Sequence, residues 1–313
     1  MSIKGDLAMA RVMSHCGGSP AAGLRFAAGA VVRDPGSLEP YQLLAEIREQ
    51  YPDTGADRVG LAGLLTDAYL ARLAGDMDAA ATALAWVTGY RPDVPWADAP
   101  WFDDDLVAGL SPTGMGDAAI AVADAGQPLD GEKLTPWFRA IEAVCAREPV
   151  PEQMARMAIM LRFAGRIDES FALCDRADAI EPLMITSVVR GATHRHLGDG
   201  TATRRCYERA LELDPGNWSL YLDLADLAAA EDDFTGAAQL TARGLEHEPD
   251  EPALRAAAAA YRARATGSGE AFDLFLTLAA AVEHTGYRKV LVGHALATPN
   301  LTTERLAAGR AFL

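Results

Sequence analysis

Prolines in the second half of this chain recur at a nearly constant interval. Pro149, Pro182, Pro215 and Pro249 are separated by 33, 33 and 34 residues. A glycine precedes several prolines by a fixed 17 residues: Gly18 before Pro35, Gly75 before Pro92, Gly165 before Pro182 and Gly198 before Pro215. Proline cannot continue a helix, and glycine takes the positive φ that closes one. The glycine-to-proline interval therefore reads as one helix entered through a tight corner. The remainder of each period has room for a second helix. Such units bury their apolar faces only against their neighbours, so a chain of 313 residues can grow without one central core and without linkers between unlike domains.

Residues 201–217 show the second helix of a unit most clearly. Cys206, Ala210 and Leu213 fall at helical spacing, Tyr207 supplies an aromatic, and Leu213-Asp214-Pro215 ends the segment. Leu197, Gly198 and Asp199 form the corner before it. The same order of residues runs through 164–182 and 74–92, and more weakly through 17–35. Small residues Ala210, Ala177 and Ala30 stand five before their prolines, where they let the second helix press on the next unit, while Val87 and Val144 depart from that rule. In 218–250 a whole unit is visible, with Trp218 first, Leu224 and Ala225 in the first helix, Ala237 and Gly244 in the second, and Asp232 in the place of the corner glycine. On these residues the chain resembles the tetratricopeptide repeat family. The resemblance implies an all-α, right-handed α-solenoid, and the end of the chain then reads as a C-terminal helical cap.

First helices are expected near 4–15, 59–73, 114–125, 151–163, 184–196, 218–230 and 252–265. Second helices are expected near 20–33, 77–90, 133–147, 167–180, 200–213, 234–247 and 270–283, with an extra helical stretch at 39–51. The expected organisation is degenerate repeats over 1–90, an irregular Trp- and Asp-rich insertion over 91–114, a repeat array over 115–283 and capping helices over 284–313. In the last unit the proline is replaced by Glu283.

Half the residues are hydrophobic, aromatics are few, and alanine, the strongest helix former, is abundant. The formal charge is −16, and Lys4, Lys133 and Lys289 are the only lysines. A surface this acidic repels phosphate backbones and anionic headgroups, so neither nucleic acid nor membrane is an expected partner. No segment approaches the length of a membrane span. Cys16, Cys145, Cys174 and Cys206 are scattered, without a C-x-x-C pair, which fits a reducing compartment and a cytoplasmic location. The bias to arginine and alanine suits a GC-rich bacterial genome.

In tetratricopeptide arrays the first helices line a concave groove that holds ligands. Carried onto this chain, the resemblance implies groove positions at Tyr69, Arg72, Arg156, Ile159, Arg162, Arg195, Asp226 and Arg264. The arginines offer planar forks suited to carboxylates. The competing reading pairs them within the chain, Arg162 with Asp168 and Arg195 with Asp199, at helix ends where a cation is favourable. Apolar Leu65, Ala155, Val188 and Leu222 stand where chaperone-binding members need polar groups, so an acidic or amphipathic peptide or protein is the expected partner.

Chemistry beyond binding has little to stand on. Asp103, Asp104 and Asp105 have no calcium-loop spacing around them and read as a solvated loop or a helix N-terminus. Trp96, Trp101, Phe102, Trp137 and Phe138 are costly to expose, so the insertion should fold back onto the array. His194 and His196 are two apart on a helix and do not share a face. His15 beside Cys16 lacks an orienting third group. No nucleotide, serine-hydrolase or zinc-protease motif is present. The expectation is a non-catalytic scaffold with no metal and no cofactor. The alternatives are a metal-dependent pocket between the array and the insertion, and a peptide-responsive sensor. Self-association into a homo-oligomer, through the last unit or the insertion, is compatible with the sequence.

Overall fold

The computed structural model describes residues 2–15, 19–52, 60–124 and 129–313. Among them every regular element is helical. The chain divides into two compact units, 1–189 and 190–313.

Unit 1 holds α1 (Ile3–His15), α2 (Pro20–Arg33), α3 (Leu38–Gln50), α4 (Leu61–Ala74), α5 (Met77–Tyr90), α6 (Asp104–Gly109), α7 (Pro112–Ala123), α8 (Thr135–Arg147), α9 (Pro151–Phe163) and α10 (Ile167–Ile180). Helix α11 (Met184–His196) contains the boundary. Unit 2 continues with α12 (Gly200–Leu213), α13 (Trp218–Ala230), α14 (Phe234–His247), α15 (Pro252–Thr266), α16 (Gly269–Ala279), α17 (Thr285–Leu296) and α18 (Thr303–Arg310). The helices α5, α9, α10, α11, α12, α13 and α14 begin and end where the repeat spacing places them.

The corners explain this agreement. Gly75, Gly165 and Gly198 all have positive φ, between 76° and 81°, and Asp232 takes the same conformation at 62°. At each corner the next backbone N–H reaches back to a carbonyl five residues earlier, as Asp76 does to Ala71 and Asp233 to Ala228, both at 2.9 Å. The following aspartate then caps the next helix: Asp76, Asp199 and Asp233 accept from the N–H groups of Ala79, Ala202 and Gly236 at 2.8–3.0 Å. Two residues thus end one helix and start its partner. The equivalent glycine of the first unit, Gly18, lies outside the described residues, as does Cys16.

Three segments differ from expectation. Helix α7 starts at Pro112 because the Ser111 hydroxyl caps it and proline suits the first turn. It packs chiefly against α5 and α9 rather than pairing closely with α8. Close approach to α5 is possible because Gly114 has no Cβ; one built there would overlap the Asp78 carboxylate. Helix α16 stops at Ala279, since the chain turns through Ala281 and the buried Val282 before His284 caps α17.

The 91–114 stretch is also more regular than its Pro and Gly content suggests. It contains a 3-10 turn at Trp96–Asp98 and the short helix α6. Its aromatics do fold back. Trp96, Trp101 and Trp137 are all buried, Trp96 donates its indole N–H to the Arg91 carbonyl at 2.8 Å, and Phe102 lies 4.7 Å from the Trp137 ring. Arg147 of α8 donates to the carbonyls of Val107 and Leu110 at the end of α6. These rings join the core of unit 1 with Tyr41, Leu44, Ile47 and Leu84.

Unit 2 has its own core, built from Ala225, Ala228, Ala256, Ala260, Tyr261, Phe272, Phe275, Leu291 and Val292. Helix α17 packs on α15 and α16, and α18 on α16 and α17.

Candidate functional site

Unit 2 brings a polar cluster together on α13, α15 and α17. Asp223 and Asp226 lie one turn apart on α13 and are both half-buried. Arg195, in the last turn of α11, donates to Asp223 at 3.0 Å. The Tyr261 hydroxyl from α15 donates to Asp226 Oδ1 at 2.5 Å, and the Tyr287 hydroxyl from α17 donates to the same oxygen at 3.0 Å. Asp226 Oδ2 takes no protein hydrogen bond among the described residues. His294 stands beside the cluster, its ring 5.4 Å from Phe234 and 5.7 Å from Tyr261. The Arg264 guanidinium lies over Phe234, 4.9 Å from the ring centre.

The electrostatics follow from partial burial. Desolvation raises the Asp226 carboxyl above its ordinary value, and the two tyrosine hydroxyls and Arg195 act against that rise. Burial likewise raises Asp223, opposed by Arg195. Both phenols are pushed far up by burial and by the carboxylate they face, so they stay protonated as donors. His294 is lowered by burial, with Asp226 opposing and Arg264 reinforcing the shift. The result is a fixed acceptor: two phenols orient one oxygen while the other is left for an outside donor. A cation or a hydrogen-bond donor suits it. Nothing in the cluster is an activated nucleophile.

The eight residues expected in a groove divide between the units. In unit 1, Tyr69 is buried, its ring 5.8 Å from Tyr41 and 6.1 Å from Trp101. Arg72 donates to the Trp101 carbonyl at 3.3 Å and to Asp103 at 3.2 Å. Arg156 pairs with Asp117 at 2.9 Å and Glu152 at 3.1 Å. Ile159 is half-buried against the core, and Arg162 stacks on Phe163 at 4.4 Å. In unit 2, Arg195, Asp226 and Arg264 belong to the cluster just described. Arg72, Arg156 and Arg195 are thus each paired within the chain, Arg195 with Asp223 and not with Asp199. Arg195 meets Asp223 because Asp199 is already the cap of α12.

Asp103 has a similar double duty, capping α6 through the Leu106 N–H at 2.9 Å while pairing with Arg72. Among the described residues no group of three or more His, Cys, Asp or Glu side chains converges as a metal site. Tyr261, Tyr287, His294 and Asp223 were invisible to sequence reasoning. Tyr261 and Tyr287 lie 35 and 61 residues from Asp226, and no motif links those intervals.

Residues 195–261 match the family model for the tetratricopeptide repeat. Over that segment the chain is similar to tetratricopeptide repeats. The match runs from the last turn of α11 into α15, takes in the corners at Gly198 and Asp232, and includes Arg195, Asp226 and Tyr261. No curated protein matches the chain. Similar solved structures include a thermophilic tetratricopeptide-repeat protein from Thermus thermophilus, 17% identical, covering 64% of this chain and 97% of that one, with TM-score 0.38. A tetratricopeptide-repeat protein from Parabacteroides merdae is 11% identical, covers 98% of both chains and has TM-score 0.39. Tetratricopeptide-repeat proteins generally mediate protein–protein interactions or scaffolding. Among the described residues no helix is long and apolar enough to cross a membrane.

Proposed function

We infer that this chain is a non-catalytic scaffold whose tetratricopeptide repeats bind a peptide or protein segment, with the Asp223–Asp226 face of unit 2 as a principal contact. The observation that carries this reading is the Asp226 carboxylate, held through Oδ1 by Tyr261 and Tyr287 with Oδ2 unbonded. That oxygen is free to accept from a donor that a bound segment supplies. Arg72, Arg156 and Arg195 each already meet a carboxylate, so they do not support an acidic occupant at these positions. A basic side chain on an otherwise apolar segment fits better, and the net charge of −16 would draw it in. Helices α17 and α18 act in this reading as the terminal cover of the array.

The test is a peptide-array selection with the purified chain, repeated with Asp223→Asn and Asp226→Asn together. Lysine- or arginine-bearing amphipathic peptides are expected to bind the parent chain and to lose at least about tenfold in affinity with the double variant. Equal binding by both proteins, with circular dichroism showing the variant folded, overturns the reading.

A further inference from the structure

A different face of α15 carries a second feature. Helices α13 and α15 start 34 residues apart, at Trp218 and Pro252, so Tyr221 corresponds to Arg255, Ala228 to Arg262 and Gly244 to Leu278. In α13 the stripe Tyr221, Leu224, Ala225 and Ala228 is wholly buried, with the Tyr221 ring stacked on His247 at 5.5 Å. In α15 the corresponding stripe has exposed guanidinium groups at both ends. The space is left open as a cleft of about 420 Å³ between α14, α15 and α16. Leu245, Leu274 and Leu278 give it an apolar wall, and Leu274 is 52% exposed. A neighbouring cleft of about 320 Å³ along α14, beside Ala238 and Ala242, shares Arg262. Neither Arg255 nor Arg262 makes an ion pair among the described residues, in a chain with 44 acidic residues and 28 basic ones.

We propose that this cleft binds an extended acidic peptide segment in which two carboxylates three residues apart flank apolar side chains. Charge selects the occupant. Two unpaired guanidinium groups beside a leucine wall ask for carboxylates next to apolar groups. Spacing selects the form. Seven residues of helix separate the arginines by about 10 Å along the axis. A polyproline-II segment returns to the same side every three residues after about 9 Å, which sets one carboxylate against each arginine. The two adjoining clefts suit a chain that continues past Arg262 rather than a compact small molecule. Glu270 stands on the lining and holds the carboxylates to the arginine side. This face shares no residue with the Asp226 cluster, so it stands independently of the function proposed above.

Fluorescence polarisation on the full chain tests it, with a labelled Gly-Glu-Leu-Phe-Glu-Gly peptide as probe and Gly-Lys-Leu-Phe-Lys-Gly as control. The acidic probe is expected to bind saturably and the basic one not. Arg255→Glu with Arg262→Glu should weaken the acidic probe at least about tenfold, Arg255→Gln with Arg262→Gln by less, and Leu274→Asp by a similar order. Glu270→Gln should strengthen it about two- to threefold. Asp223→Asn with Asp226→Asn should leave it unchanged, which separates this result from the test of the other face. No saturable binding, equal binding by the basic peptide, or indifference to the arginine variants overturns the proposal. So does light scattering that shows self-association abolished by those variants, since the cleft would then belong to a second copy.

Discussion

The two units treat the charged residues on their first helices in opposite ways. On α4 of unit 1 the insertion supplies the partners: Asp103 and the Trp101 carbonyl take Arg72, and the Trp101 ring covers Tyr69. In unit 2 no insertion intervenes, and Asp226 is met by hydroxyls from two later helices, with one oxygen left over. The end of α4 is covered by its own chain, whereas the Asp226 carboxylate keeps one oxygen without a protein donor among the described residues. The same backbone pattern can therefore carry a stretch covered by an insertion and one without such a cover, and the difference lies in what is inserted rather than in the repeat itself.

The largest test of this contrast is Trp101→Ala. Removing a buried ring that touches Tyr41 and Tyr69 should cost about 3–5 kcal/mol, read as a lower urea midpoint for unit 1. A loss below about 1 kcal/mol would mean that the insertion is not a seal. Tyr261→Phe comes next, at about 1–3 kcal/mol in unit 2, because it strips a donor from a half-buried carboxylate. Hydrogen exchange should localise the effect to α13, α15 and α17. If instead α4 and α5 respond, the two regions are not energetically distinct in the way described.

Smaller effects sharpen the picture at the corners. Gly198→Ala should destabilise by about 1–2 kcal/mol, since alanine resists positive φ, whereas Asp232→Gly should stabilise by up to about 1 kcal/mol. Opposite signs in thermal melts would show that the two positions do one job with different residues. The smallest effect concerns pH. A carboxyl raised in the folded state binds its proton more tightly there than in the unfolded chain. The stability it contributes is fully present below the ordinary value of 3.8 and is lost as pH rises through the folded value. Asp226→Asn removes this loss while keeping an acceptor for the tyrosines. The variant should therefore gain on the parent between acid and neutral pH in paired denaturation curves. A difference that shrinks with rising pH would reverse the assigned sign.

Most of the architecture was legible because it is written in local chemistry. A corner needs a residue that tolerates positive φ and, in most cases here, an aspartate after it, and both sit next to each other in sequence at Gly75-Asp76, Gly198-Asp199 and Asp232-Asp233. Side-chain partnerships were much less legible. Arg195 looked ready to meet Asp199, but the carboxylate it finds is on the next first helix, because capping had already claimed the nearer one. The α7–α8 region also escaped the repeat pattern. There the aromatic insertion holds α8, and α7 settles between α5 and α9. Contacts between helices distant in sequence depend on packing angles that no period reports.

Helix α6 has only six residues, too few to persist alone in water, and the guanidinium of Arg147 closes its last carbonyls from α8. The clamp lies about forty residues downstream of the segment it secures, so on a growing chain Arg72, Tyr41 and Tyr69 are made before the insertion and Arg147 only after it. The 3-10 turn that carries Trp96 and the short helix α6 both pack on α8, so this part of the insertion is completed last.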